Sequence, residues 1–174
     1  KGIGRGNPGM LEAVLEALER RYPGRINRRR RWILNNAGGA MGSMMLLHAS
    51  LSEYLIFFGT PIGTEGHSGR YLADVYDIVM AGEMWCYTEG ETDRVVYRPG
   101  DMASLPDGRA KGYRIPDSVW MLEYARGAIP TMLPFGLLDV VTSTLDYSSF
   151  ARTVADYGRL VVTGWFGRKE TSSR

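Results

Sequence analysis

Two carboxyl groups in this 174-residue chain lie in surroundings that suit proton transfer. Asp77 precedes Ile78-Val79-Met80, and Glu123 lies inside Val119-Trp120-Met121-Leu122-Glu123-Tyr124. If the second run is a strand, two-residue alternation puts Glu123 on the same face as Val119 and Met121. Burial disfavours the charged form, so a carboxyl directed into an apolar interior becomes a usable acid near neutral pH. A salt bridge, for instance to Arg126 or Arg114, is the ordinary alternative, and the residues alone leave both readings open.

Other chemistries find less support. The stretch IGTEGHSGRYLADVYD, residues 62–77, holds glycines at 63, 66 and 69 but neither a Gly-Lys-Ser/Thr ending nor G-x-G-x-x-G, and Gly38-Gly39-Ala40-Met41-Gly42 fails both patterns too. A barrel metal site would show two histidines two residues apart with a further acid and histidine. The only histidines are His48 and His67, so no metal is expected. His67 reads as a hydrogen-bonding residue in a glycine-constrained loop, and His48 as a residue packed on its helix. Ser68 follows His67 but lacks the G-x-S-x-G setting of a nucleophile. The single cysteine, Cys86, excludes an intrachain disulfide and a cysteine-cluster zinc site and reads as a packing residue.

A composition of 44% apolar and 23% charged residues describes a folded single domain. A net charge of +2 argues for no nucleic-acid partner. The run Arg25-Ile26-Asn27-Arg28-Arg29-Arg30-Arg31-Trp32 fits a solvated flank first, a lipid headgroup contact next and a nucleic-acid contact last. Residues 1–31 are expected to form a helix and basic linker. The helix starts at Asn7-Pro8, with asparagine as cap, and stops near Arg21-Tyr22 before Pro23-Gly24.

Residues 32–126 are expected to hold a helix and a β-barrel. Gly38 to Gly42 permits close backbone approach. The apolar text from Ser43 to Phe58 favours a largely buried helix by its length. From Gly59 to Tyr124, short apolar runs between glycines and prolines predict antiparallel strands closing into a sandwich or small barrel.

Residues 127–169 return to helical patterning in two segments. Asp139, Asp146, Asp156 and Arg159 interrupt the apolar surface too often for a membrane span. Two helices lying in a membrane interface fit, with Trp165, Phe166, Arg168 and Lys169 at the headgroups, and so does a helix pair packed on the barrel. Residues 170–174 are expected to be a disordered tail. No run of about 18 uncharged apolar residues exists. The chain begins at Lys1, so an upstream anchor can precede it.

Several ordered motifs resemble one family. They are Asn35-Asn36-Ala37-Gly38-Gly39-Ala40-Met41-Gly42, Leu47-His48-Ala49-Ser50-Leu51-Ser52-Glu53-Tyr54, Gly63-Thr64-Glu65-Gly66-His67-Ser68-Gly69-Arg70-Tyr71, Trp120-Met121-Leu122-Glu123-Tyr124 and Leu133-Pro134-Phe135-Gly136. From about residue 10 to residue 166 the chain resembles the fungal delta-8 to delta-7 sterol isomerases and the sigma non-opioid intracellular receptor. The resemblance implies an α+β fold: a cupin-like antiparallel β-barrel around an apolar cavity, flanking helices, and two C-terminal helices resting on the endoplasmic reticulum membrane. It also implies an N-terminal anchor outside these residues and a homo-oligomer, a trimer in the receptor branch.

In the receptor branch two cavity acids hold a ligand's cationic amine, and they match Asp77 and Glu123, with Asp74 as the competitor to Asp77. Tyr54, Phe58, Tyr71 and Trp120 fall at aromatic or cavity-adjacent positions, which ordinary core residues also occupy. His67, with Glu65 and Arg70, is expected to shape the cavity wall. The enzyme branch implies a cofactor-independent isomerase: proton addition at carbon 9, a cation at carbon 8, and proton loss from carbon 7. One carboxyl must be protonated and the other ionised. Competing readings are a non-catalytic binder of amines and sterols with the same fold, or a homologue acting on another polycyclic lipid.

Overall fold

The computed structural model of the chain describes residues 8–170, with side chains from residue 9 to residue 164. Ten strands form two antiparallel sheets. The larger runs β1 (Ile33–Ala37), β2 (Ala40–Ala49), β3 (Glu53–Thr60), β10 (Val119–Gly127), β5 (Ala73–Gly82) and β8 (Met102–Leu105) in spatial order. The smaller runs β4 (Thr64–His67), β9 (Lys111–Ile115), β6 (Met84–Thr88) and β7 (Val95–Tyr97). The helices are α1 (Pro8–Arg21), α2 (Leu133–Thr142) and α3 (Tyr147–Glu170). The strand spacing predicts an antiparallel sandwich or small barrel, and the arrangement is the cupin-like α+β barrel that the family resemblance implies.

The region 43–58 differs from the expected helix: it is a β-hairpin formed by β2 and β3. Its inner face carries Met44, Leu46, Ile56 and Phe58 into the central core. Its outer face carries Met45, Leu47 and Phe57 against Leu15 of α1. With both faces covered, the polar-apolar alternation that marks a half-buried strand is erased, and only length remains as a guide. The polar residues at the centre of this stretch make the turn. Ser50 Oγ accepts hydrogen bonds from the backbone N–H groups of Ser52 at 3.2 Å and Glu53 at 3.0 Å. His48 accordingly sits on a strand, its ring 3.4 Å from the Glu53 carboxylate.

The β1–β2 hairpin turns at Gly38-Gly39, both at positive φ, between the paired Ala37 and Ala40. A Cβ on Gly38 would lie 2.2 Å from the His67 carbonyl oxygen and 2.6 Å from the Phe135 ring. This is the close approach expected of the glycine run. It lets the hairpin wedge between β4 and α2.

The polar residues of the C-terminal helices have assigned tasks. Asp139 Oδ2 accepts the Gly39 N–H at 3.1 Å, and Asp146 Oδ1 caps α3 by accepting the Ser149 N–H at 3.0 Å. Asp156 is buried between Arg31 at 3.7 Å and Arg159 at 3.8 Å. Among the described residues no helix is long and apolar enough to cross a membrane. Glu170 closes α3 rather than opening a tail. The expected cap Asn7, residues 171–174, and the side chains of Trp165, Phe166, Arg168 and Lys169 lie outside the described residues.

Candidate active site

The space between the sheets is a cavity of about 180 Å³. Met44, Leu46, Ile56, Phe58, Met84 and Met121 supply its apolar barrel wall, and Leu133, Phe135 and Tyr157 close it from α2 and α3. Tyr157 pins α3 to the barrel through its hydroxyl, which donates to the Ser50 carbonyl at 3.0 Å.

Alternation along β10 directs Met121 and Glu123 inward, as expected, and along β5 it directs Val75 and Asp77 inward. The two strands pair antiparallel with Glu123 directly opposite Asp77. Same-face partners in such a pair have Cβ atoms about 4.5–5.5 Å apart, so the two carboxyls are immediate neighbours. Asp74 turns outward and accepts the Asp107 N–H at 3.0 Å. Between the competing aspartates, Asp77 is therefore the one in the cavity.

Glu123 makes no ion pair with Arg126 or Arg114. Arg114 instead pairs with Glu65 at 3.6 Å. The Glu123 carboxyl accepts a hydrogen bond from the Tyr54 hydroxyl. Its exposed surface is cavity wall. Burial, and then the charge of Asp77, push Glu123 up to about 7 against the opposing effects of Tyr54 and Lys111. Burial and Glu123 likewise push the phenols of Tyr54 and Tyr71 well up, so both are neutral donors.

Asp77 does form an ion pair, with a residue that the sequence reading missed. Lys111 Nζ lies 2.6 Å from Asp77 Oδ2, with side chains only 7% and 6% exposed. Burial works against the Lys111 ammonium, but the charge and hydrogen bond of Asp77, together with Cys86 and Glu123, outweigh it and the net shift is upward. Asp77 Oδ1 is buried without a hydrogen-bond partner among the described residues. The signal for Lys111 was available: extending the Gly112–Ile115 strand by one residue puts Lys111 in phase with Tyr113 and Ile115. Tyr113 also lines the cavity.

Tyr54, Phe58 and Tyr71 line the cavity, and Tyr71 packs edge-on against Phe135 at 5.3 Å. His67 reaches the wall from β4 while remaining exposed, its Nδ1 accepting the Gly69 N–H at 2.9 Å. Trp120 is a correction. The alternation that turns Glu123 inward turns Trp120 outward, where it packs against Trp32 at 5.3 Å and Phe57 at 6.1 Å beneath α1. Arg70 is spent on Glu89 at 2.7 Å and the Gly108 carbonyl at 2.6 Å.

Fold and site define a class: a small antiparallel barrel enclosing a mostly apolar cavity whose charged side chains are two facing carboxyls and one amine, with several phenols beside them. The chain belongs to the family described as ERG2 and Sigma1 receptor like protein, whose family model matches residues 5–168. It is 45% identical over 161 residues to the C-8 sterol isomerase erg2 of Aspergillus fumigatus, covering 92% of this chain and 67% of that one. It is 49% identical to the C-8 sterol isomerase of Neurospora crassa, covering 79% and 54%. It is 41% identical to the sigma non-opioid intracellular receptor 1 of Xenopus tropicalis, covering 86% and 68%. The chain thus spans about half to two thirds of the length of these relatives. Among solved structures, the polyketide cyclase RemF from Streptomyces resistomycificus is similar in fold, with a TM-score of 0.51 and 15% identity, covering 59% of this chain and 78% of that one.

Proposed function

We propose that the protein is a sterol isomerase that moves a ring double bond from the delta-8 to the delta-7 position. The observation that carries this reading is the register pairing of Glu123 with Asp77 inside an apolar cavity. Two like charges at such spacing in a dry site are disfavoured, so one carboxyl carries a proton. Glu123, pushed up to about 7, is the acid. Its proton adds to carbon 9, and the ring π pair forms the new carbon–hydrogen bond. A cation is left at carbon 8, stabilised by the Asp77 carboxylate. Loss of the carbon 7 proton to Asp77 returns the electron pair as the new double bond. The reaction ends with one proton displaced between paired side chains, and exchange with water, which takes the proton from Asp77 and returns one to Glu123, resets the site. No electron is gained or lost overall, and carboxyls alone supply the proton chemistry.

The family's second named activity motivates a competing reading. A relative 41% identical is named a sigma non-opioid intracellular receptor, and a cationic amine would pair with the same carboxylates that stabilise a carbocation. Binding without turnover is therefore the alternative. Purified protein incubated with a delta-8 sterol in deuterated water separates them. Isomerisation predicts delta-7 sterol carrying deuterium at carbon 9, whereas amine binding with unlabelled, unchanged sterol defeats the enzyme reading. The exposed apolar side chains of α2 and α3, together with the family resemblance, support a location on the endoplasmic reticulum membrane surface and assembly as a homo-oligomer.

A further inference from the structure

Two facing carboxyls are nearly equivalent as chemistry, and left alone they would share one proton. Their surroundings here are unequal. Glu123 receives a neutral hydroxyl from Tyr54 of its own sheet. Asp77 receives the ammonium of Lys111, which reaches from β9 in the opposite sheet and lines the same cavity.

We propose that Lys111 is the positioning residue that decides which carboxyl carries the proton: it holds Asp77 as the carboxylate and leaves the proton to Glu123. This rests on the acid–base reading above and deepens it by naming what breaks the symmetry of the pair. An ammonium as enclosed as Lys111 is tolerated only beside a counter-charge, and a carboxylate as enclosed as Asp77 requires the same. Seen from Glu123, the Lys111 ammonium offsets only part of the Asp77 charge, so the Asp77 carboxylate still opposes a second negative charge on Glu123. The Lys111 contact occupies Oδ2 and leaves Oδ1, which has no partner among the described residues, as the oxygen free to face a cation or receive a proton.

The other ionisable groups do not compete for this role. From β3 and β9, the Tyr54 and Tyr113 phenols are driven up by burial, and Tyr71, just before β5, is driven up likewise. From β6, the Cys86 thiol is pushed up to about 11, and the Tyr97 phenol of β7 and the Tyr157 phenol of α3 are raised too. All are neutral near pH 7. His67 from β4 is exposed and its Nδ1 already accepts a hydrogen bond. Lys111 is the one ammonium or guanidinium among the described residues lining the cavity.

Infrared spectroscopy across a pH titration tests the assignment directly, because a protonated carboxyl has a carbonyl stretch that a carboxylate lacks. Wild type is expected to show a buried protonated carboxyl whose band is absent in Glu123→Gln, since Lys111 keeps Asp77 ionised. In the double variant Lys111→Met/Glu123→Gln the band should return at neutral pH, now from Asp77 protonated for want of a cation. Lys111→Gln/Glu123→Gln, which keeps a hydrogen-bond donor beside Asp77 without the charge, is expected to behave the same way and guards against misfolding of the methionine variant. A band in the single variant Glu123→Gln, or none in either folded double variant, overturns the proposal. Turnover provides an independent arm. Lys111→Met should lower kcat by about 100-fold with KM changed less than about threefold, and Lys111→Arg should recover part of the loss. Unchanged kcat in Lys111→Met likewise overturns the role. If wild type shows no sterol turnover while the infrared pattern holds, the isomerase reading fails and the Lys111 assignment stands. If turnover is present and the infrared pattern fails, Lys111 alone is removed.

Discussion

At the scale of single residues, the two carboxyls differ in what they cost the fold. Glu123 moves from an ordinary 4.5 up to about 7 in the folded state. A raised value means that the folded chain holds this proton more tightly than the unfolded chain. The associated stability is complete below the ordinary carboxyl range and is lost as pH rises through about 7. Glu123→Gln stays neutral and keeps an oxygen for the Tyr54 hydroxyl. In urea unfolding it should match wild type near pH 4 and exceed it by on the order of 1–3 kcal/mol at about pH 8. The same variant should lose roughly 10²–10⁴-fold in isomerisation rate. Asp77→Asn predicts the opposite for stability. It strands the Lys111 ammonium in a site that is 7% exposed, and removing one partner of a buried pair costs about 3–5 kcal/mol. A stabilised Glu123→Gln beside a destabilised Asp77→Asn, both inactive, is the signature of one protonated and one ionised carboxyl. Equal effects on stability at about pH 8 would contradict the division of roles.

At the scale of elements, the larger sheet is a two-sided wall, with chemistry on one face and support on the other. The outer face of β2, β3 and β10 gives Met45, Leu47, Phe57 and Trp120 to α1, where Leu15 is 4% exposed. Leu15→Ala should cost about 2–4 kcal/mol in denaturant unfolding through the lost side chain and the void. The affinity for a cavity ligand should meanwhile hold within about threefold, because Leu15 lies on the far side of the sheet from Asp77 and Glu123. A large affinity loss in the folded variant would mean that the two faces are not independent. This two-sidedness also explains what was legible in the sequence. The inward turn of Glu123 could be read from the two-residue period of a strand, which puts it in phase with the apolar Val119 and Met121 of β10. The β2–β3 hairpin could not, since covering both faces removed the alternation and left an apolar run that fits a helix equally well. Trp120 was misplaced because its motif, rather than its phase relative to Glu123, guided the assignment. Lys111 was missed for a different reason: a lysine after Ala110 reads as the polar edge of a loop, and its counter-charge on β5 is 34 residues away. Strand phase with Tyr113 and Ile115 could have turned Lys111 inward, but its pairing with Asp77 across two sheets could not be read locally.

At the scale of the whole molecule, the three aspartates of the helices that close the cavity are engaged with the fold, while Arg152 of α3 is exposed. Asp139 and Asp156 bind the barrel and its neighbours, and Asp146 caps α3. Exposed on the same helices are Leu138 at 58%, Val154 at 45% and Val162 at 53%. Such a division suits a helix pair that rests on lipid and admits an apolar substrate without passage through water. Each half-exposed aliphatic side chain that enters the acyl boundary contributes about 1 kcal/mol or more, and a carboxylate in its place adds a desolvation penalty. Leu138→Asp/Val162→Asp should therefore weaken partitioning of the purified chain onto phosphatidylcholine vesicles by at least about tenfold. Because neither side chain lies among the cavity-lining residues, the affinity of the detergent-solubilised variant for a sterol should stay near that of wild type. Vesicle flotation measures the first quantity and ligand titration the second. Unchanged flotation with a folded variant would assign these side chains to a surface that does not meet lipid, and the helix pair would then be a cover for the barrel alone.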